Sequence, residues 1–195
     1  MRKIITTTFV TMDGVLQGPG APEEDNEGGF THGGWQMNFN DEKGDQIING
    51  FMKMPFELLL GRKTYDIWAA FWPYTEAAPQ IANPFNTTKK YVVSHAKNEL
   101  SWGNSSIVTG DVASEIKKLK EMDGPDLWVW GSGNLIQTLL KNDLVDEMYI
   151  WTHPLTLGEG KRLFNEGIRP GAFQLASNQI LANGVIIAHY ERAGK

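Results

Sequence analysis

The sequence predicts an α/β protein built on a mixed, mostly parallel sheet. Short β-branched or apolar runs alternate with segments of helical period, the pattern of strands joined by crossover helices. The last stretch holds two strand-like runs around Asn183-Gly184, an antiparallel hairpin signal that makes the sheet mixed. The 195 residues suit one domain spanning 1–195. A chain of this size buries about 70% of its unfolded surface, enough for a core without disulfides.

Ile4 to Val10 is β-branched and aromatic and reads as the first strand. Gln17 to Asn40, rich in Gly, Pro and acids, is too long for a plain connection and reads as a functional loop or lid. From Asp41 to Met54, the apolar residues Ile47, Ile48, Phe51 and Met52 recur at the spacing of one helix face. Phe56 to Leu60 is a short apolar run ending at Gly61, as in a strand covered on both faces. Thr64 to Phe71 is helical, Lys90 to Ser94 and Ser105 to Val108 are strands, and Ala113 to Met122 is a helix. Leu127 to Trp130 is a strand, Asn134 to Lys141 a helix and Glu147 to Thr152 a strand. Phe173 to Ala182 and Val185 to Tyr190 form the closing hairpin.

Composition narrows the function. With 18 basic against 23 acidic residues the formal charge is −5, whereas a nucleic-acid binder needs a basic excess to meet phosphates. The absence of Cys removes disulfides, thiolate nucleophiles and Cys-ligated zinc. The four histidines, His32, His95, His153 and His189, show no metal-ligand spacing, so no metal site is expected. No apolar run approaches the roughly 20 residues that cross a bilayer, and Met1 to Val10 lacks the apolar core of a signal peptide. Together these point to the cytoplasm.

Ligands of α/β sheets lie beyond the carboxyl ends of the parallel strands, and two such ends stand out. At Gly61-Arg62-Lys63-Thr64 a glycine lets backbone approach a ligand, the next helix start offers free N–H groups, and two cations and a hydroxyl follow. This is a phosphate cradle, and the Arg/Lys pair suits the extra 2′-phosphate of NADP. At Gly131-Ser132-Gly133-Asn134 a second buried strand runs into small residues and a helix, room for a pyrophosphate. The Rossmann fingerprint fails there, since Leu135 and Ile136 stand where its third glycine belongs. Each stretch alone also reads as a capped turn; together they suit one ligand with several phosphates, such as a dinucleotide.

The order of motifs resembles the dihydrofolate reductase-like superfamily, and more closely the reductase domain of bacterial riboflavin biosynthesis and its stand-alone relatives. The matching stretches are Thr11-Met12-Asp13-Gly14, Leu60-Gly61-Arg62-Lys63-Thr64-Tyr65, Tyr91-Val92-Val93-Ser94, Trp130-Gly131-Ser132-Gly133-Asn134-Leu135, Asp143-Leu144-Val145-Asp146-Glu147, and 157–164. The resemblance implies a three-layer α/β/α sandwich, an NADPH-dependent reductase and a homodimer. It also implies that Gly61, Arg62, Lys63 and Thr64 hold the adenosine phosphates, and that Ser94 and His95 lie near the adenine ribose. Gly131, Ser132, Gly133, Asn134 and Leu135 would then form the pyrophosphate and nicotinamide side. In dihydrofolate reductases a glycine pair at this strand end can contain a cis peptide; here Ser132 replaces the second glycine, which makes that form costlier.

Dihydrofolate reductases keep a carboxylic acid on the helix before the Gly-Arg strand. Asp45 lies on that helix here, with Glu42 next, although acids at a helix start also complement its dipole. Asp13, in the strand-one exit that lines the active site of riboflavin reductases, is the third proton-donor candidate; an Asp-Gly turn is the simpler reading. Trp35, in the long loop, is the candidate lid over a flat heterocycle. Tyr65, Trp68 and Trp72 share a helix face and read as packing. The expected function is reduction of a small heterocycle with NADPH, most like 5-amino-6-(5-phosphoribosylamino)uracil reductase. Dihydrofolate reduction, a nucleotide-binding module without catalysis and a purely structural oligomer are the alternatives.

Overall fold

The computed structural model describes residues 1–96 and 99–194. Its strands are β1 (Ile4–Thr11), β2 (Phe56–Gly61), β3 (Lys90–Val93), β4 (Ser105–Val108), β5 (Asp126–Trp130), β6 (Glu147–His153), β7 (Phe173–Ile180) and β8 (Ile186–Arg192). The helices are α1 (Glu42–Met52), α2 (Arg62–Phe71), α3 (Pro79–Thr87), α4 (Val112–Glu121) and α5 (Gly133–Lys141). All eight strands join one sheet in the order β4-β3-β2-β5-β1-β6-β8-β7. Six of them run parallel, and β8 pairs antiparallel with both β6 and β7. At the hairpin turn Gly184 takes φ +86°, and the Asn183 side chain accepts from the Val185 N–H.

Strand alternation splits the core into two layers. On one face Ile4, Leu59, Val129 and Met148 pack with Ile116 of α4 and Ile136 and Leu139 of α5. On the other face Ile5, Leu58, Leu60 and Trp128 pack with Phe51 of α1, Tyr65 of α2 and Phe85 of α3. The result is the three-layer α/β/α sandwich. Leu58, Leu59 and Leu60 are wholly buried, each contributing roughly 1.5–3 kcal/mol of burial. That is why a run with no alternation sits in the middle of the sheet.

Helix α3 has no counterpart in the sequence reading. Pro79 occupies its first turn, where a missing N–H is harmless, but Pro84 sits in its interior, where it removes a backbone hydrogen bond. Packing offsets that loss: Phe85 is 1% exposed and stacks on Trp68, with centroids 4.8 Å apart and planes at 20°. The Tyr65 hydroxyl accepts from the Trp102 N–H at 2.8 Å, so the α2 aromatic face belongs to the core. Among the described residues no helix is long and apolar enough to cross a membrane.

Candidate active site

The sheet order makes β2 and β5 neighbours, so their carboxyl ends open side by side. The two glycine exits meet directly: the Gly61 N–H donates to Ser132 Oγ at 3.0 Å. A Cβ built on Gly61 would lie 3.4 Å from that hydroxyl and 3.6 Å from the Leu135 Cβ. Gly131 and Ser132 both take left-handed φ near +60°, which turns the chain sharply from β5 into α5. The peptide between them is trans. Because Ser132 spends its hydroxyl on Gly61, it does not cap its own helix, and α2 starts at a glycine that has no side chain to cap with. The first-turn N–H groups of both helices, at residues 62–64 and 133–135, therefore lack side-chain partners and face one region with two positive dipole ends. Gly133 packs under Leu16, which a Cβ there would meet at 3.0 Å.

The cations beside this cradle are not equivalent. Arg62 gives its Nε to the Asp66 carboxylate at 2.8 and 2.9 Å, while its Nη1 is buried with no acceptor. An orphaned guanidinium N–H at a helix start fits an anionic group. Lys63 is already engaged. Its Nζ bonds Asp25 at 2.6 Å and Glu27 at 3.0 Å, and Lys161 bonds the same two acids at 2.8 and 2.6 Å. This four-residue clamp pins the 17–40 loop between α2 and the segment after β6. Burial opposes the charge on Asp25, yet hydrogen bonds from Lys161 and Lys63 outweigh it and hold the carboxyl down to about 2. Thr64 is half-buried in the first turn of α2, and Asn134 is exposed at the start of α5. Leu135 is buried in the core. Ser94 is buried, and its hydroxyl bonds the N–H and C=O of Ala96, shaping the turn in which His95 is exposed.

A narrow cleft opens at the carboxyl ends of β1 and β6, one and two strand spacings from β5, roughly 5–10 Å. Its walls include Phe9, Gln36, Phe39, Asp45, Trp151 and His153. Asp41 caps α1 through the N–H groups of Lys43 and Gly44, which orients Asp45 one turn in. Asp45 is exposed at the rim of the cleft, and its carboxylate makes no hydrogen bond or ion pair among the described residues. His153 is buried, and its Nδ1 lies 3.0 Å from the Trp151 carbonyl and 3.3 Å from that of Val10, which fixes it as the donor and leaves Nε2 an acceptor. Burial lowers its pKa and keeps the ring neutral.

Glu42 and Asp13 stand apart from this cleft, while Trp35 packs behind its wall, with its ring centroid 5.1 Å from that of His153. Glu42 is exposed and, among the described residues, accepts only from Gln46, at 3.5 Å. Asp13 accepts from the Thr11 hydroxyl, from Gly158 N at 2.8 Å and from Leu157 N at 3.3 Å, with Arg162 at 3.6 Å. The Thr11 bond, aided by the backbone donors, lowers its pKa, so Asp13 is an ionised clasp joining β1 to the segment after β6. Trp35, the lid candidate, is 4% exposed, donates to the Gln17 carbonyl at 2.8 Å and packs with Val15, Phe30 and the His153 ring. A ring docked this way anchors the loop, and its neighbours Gln36 and Phe39 reach the cleft instead. His153 was missed, although its place at the last residue of a parallel strand, in register with Thr11, was the available signal.

A sandwich with this strand order and two facing glycine exits defines the dihydrofolate reductase-like class. Within it, the chain belongs to the RibD C-terminal domain family, whose profile matches residues 2–187. It is 30% identical over 197 residues to the uncharacterized protein YyaP of Bacillus subtilis (strain 168), covering 99% of this chain and 96% of that one. Among solved structures it is similar to the "Putative riboflavin biosynthesis protein" of Shewanella sp. PV-4, at TM-score 0.75 and 25% identity over 98% of this chain and 99% of that one. The fold also matches dihydrofolate reductase of Enterococcus faecalis complexed with NADP(H), at TM-score 0.63 and 13% identity over 98% and 97% of the two chains.

Proposed function

We propose that this protein is an NADPH-dependent reductase of a small, flat heterocycle, most like 5-amino-6-(5-phosphoribosylamino)uracil reductase. The observation that carries the reading is the Gly61–Ser132 hydrogen bond, which draws two uncapped helix starts into one anion cradle. Residues 61–64 would hold the adenosine phosphates, with Arg62 Nη1 as the free donor, and 131–135 the pyrophosphate. Ser94 and His95 border the adenine side. When bound, the cofactor supplies a hydride from its nicotinamide ring. Asp45 carries the proton to the substrate. His153, neutral and fixed in one tautomer, presents an acceptor to a ring N–H, while Phe9, Phe39 and Trp151 exclude water.

Calorimetry with NADPH and NADH tests the cofactor, and saturable binding that favours NADPH is expected; no binding of either at millimolar levels removes the proposal. Loss of NADPH absorbance across pterins, pyrimidines, flavins and quinones tests the chemistry. Replacing Asp45→Asn should lower kcat by roughly 10²–10⁴, the range for a lost general acid, with NADPH affinity unchanged. A binding module without catalysis is the outcome if NADPH binds and no acceptor oxidises it. Rescue of a riboflavin auxotroph separates the pyrimidine reductase from a dihydrofolate reductase. Sedimentation of the purified chain tests the homodimer that the family resemblance implies.

A further inference from the structure

We infer that Glu147, His189 and Glu191 form a divalent-cation site on the β6–β8 pair, independent of the reductase reading. Glu147 sits at the far end of β6 from His153, six residue steps or roughly 20 Å along the strand, and His189 and Glu191 lie beside it on β8. Antiparallel register sets Glu147 directly opposite Glu191 and Tyr149 opposite His189, and the period of two puts all four on one face. Two carboxylates facing each other across a ladder repel, so this pairing calls for a positive charge between them. One ligand atom from each of Glu147, His189 and Glu191 lies within 4.8 Å of the others, and His189 Nε2 is 2.9 Å from Glu147 Oε2.

The surroundings fit a metal better than a simple ion pair. Lys3 holds the other oxygen of Glu147, Oε1, and so orients the carboxylate without occupying Oε2. The Tyr149 ring lies flat on the imidazole, with centroids 4.1 Å apart and planes at 4°, which fixes the ring plane. Glu147 and His189 side chains are 9% and 14% exposed, whereas Glu191 is exposed and has no hydrogen bond or ion pair among the described residues. The site is thus a half-buried pair with one solvent-facing ligand free to close over an ion. With Lys3 beside the two carboxylates and the imidazole binding metal in its neutral form, the site keeps a net negative charge that attracts a cation. One nitrogen and two oxygens suit Zn²⁺ or Mn²⁺, with water completing the shell. A bound ion would brace the C-terminal hairpin against β6 and stabilise the native state by mass action.

Tag-free, chelator-stripped full-length protein is titrated with Zn²⁺ by calorimetry, and its Tm is followed with and without the metal. One ion per chain and a higher Tm are expected. Glu191→Gln and His189→Ala should each weaken binding at least about tenfold and remove the Tm shift. The exposed Glu191→Gln change is the control for folding, since its metal-free Tm should match the wild type. No saturable Zn²⁺ uptake by the wild type, or uptake unaltered in both variants, overturns the site and leaves a metal-free His189–Glu147 ion pair.

Discussion

At Arg62 one side chain divides its donors between a neighbour on its own helix and nothing at all. Nε is committed to Asp66, and Nη1 is buried without an acceptor. A charge-assisted hydrogen bond to an anion is worth about 1.5–3 kcal/mol, so Arg62→Glu should weaken NADPH at least tenfold in calorimetry. The added acid also stands one turn before Asp66, but such a like-charge pair costs only about 0.2–0.5 kcal/mol, so Tm should barely move. A large drop in Tm would mean the residue is structural. Asp45 and Asp13 make the complementary contrast. Both are acids near strand or helix ends, and only the surroundings separate a carboxylate with no partner from one saturated by the Thr11 hydroxyl and two backbone donors.

Among the elements, the 17–40 loop is held by charge as well as by Trp35. Asp25 bridges Lys63 and Lys161, so a phosphate that recruits Lys63 must exchange with that bridge. Asp25→Asn should therefore raise NADPH affinity relative to NADH by roughly two- to fivefold, in the range of a partly exposed ion pair. Its folded pKa lies below the unfolded value of 3.8 at about 2, so its stabilisation is present above pH 4 and is lost as pH falls towards 2. The stability difference between wild type and Asp25→Asn, followed by denaturant titration, should close over that window. The sequence made the strands and most helices legible because burial writes a period, as in Leu58-Leu59-Leu60 and the α1 face. It hid α3 because Pro84 breaks a local rule that Phe85 packing overrides. It hid the clamp because Lys63 and Asp25 are far apart along the chain, and a cation engaged elsewhere looks the same in sequence as one awaiting phosphate. A tryptophan docked in a loop and one free to cover a ligand are likewise indistinguishable until Gln17 and Phe30 are seen around it.

Across the whole molecule, Lys90 is one contributor to the alkaline behaviour. It is fully buried at the start of β3 and donates to the carbonyls of Asn86, Thr88 and Gly103, with the Trp102 ring 4.4 Å away. Burial pushes its ammonium down to about 8, whereas in the unfolded chain it stays near 10.5. Between these values the unfolded chain binds more protons, so this residue makes stability rise with pH from about 8 to 10.5. In urea denaturation at stepped pH, the stability of the wild type relative to Lys90→Met should rise over that window. The molecule also has a seam that links its two halves. The Ser132 hydroxyl on the Gly61 amide stitches the exit of an early crossover to that of a late one, across 71 residues of chain. An engineer can retune charge at Arg62 or Lys63 without touching this stitch. Transplanting either turn alone into another scaffold, however, would leave a hydroxyl or an amide unsatisfied, so 61–64 and 131–135 travel as one cassette.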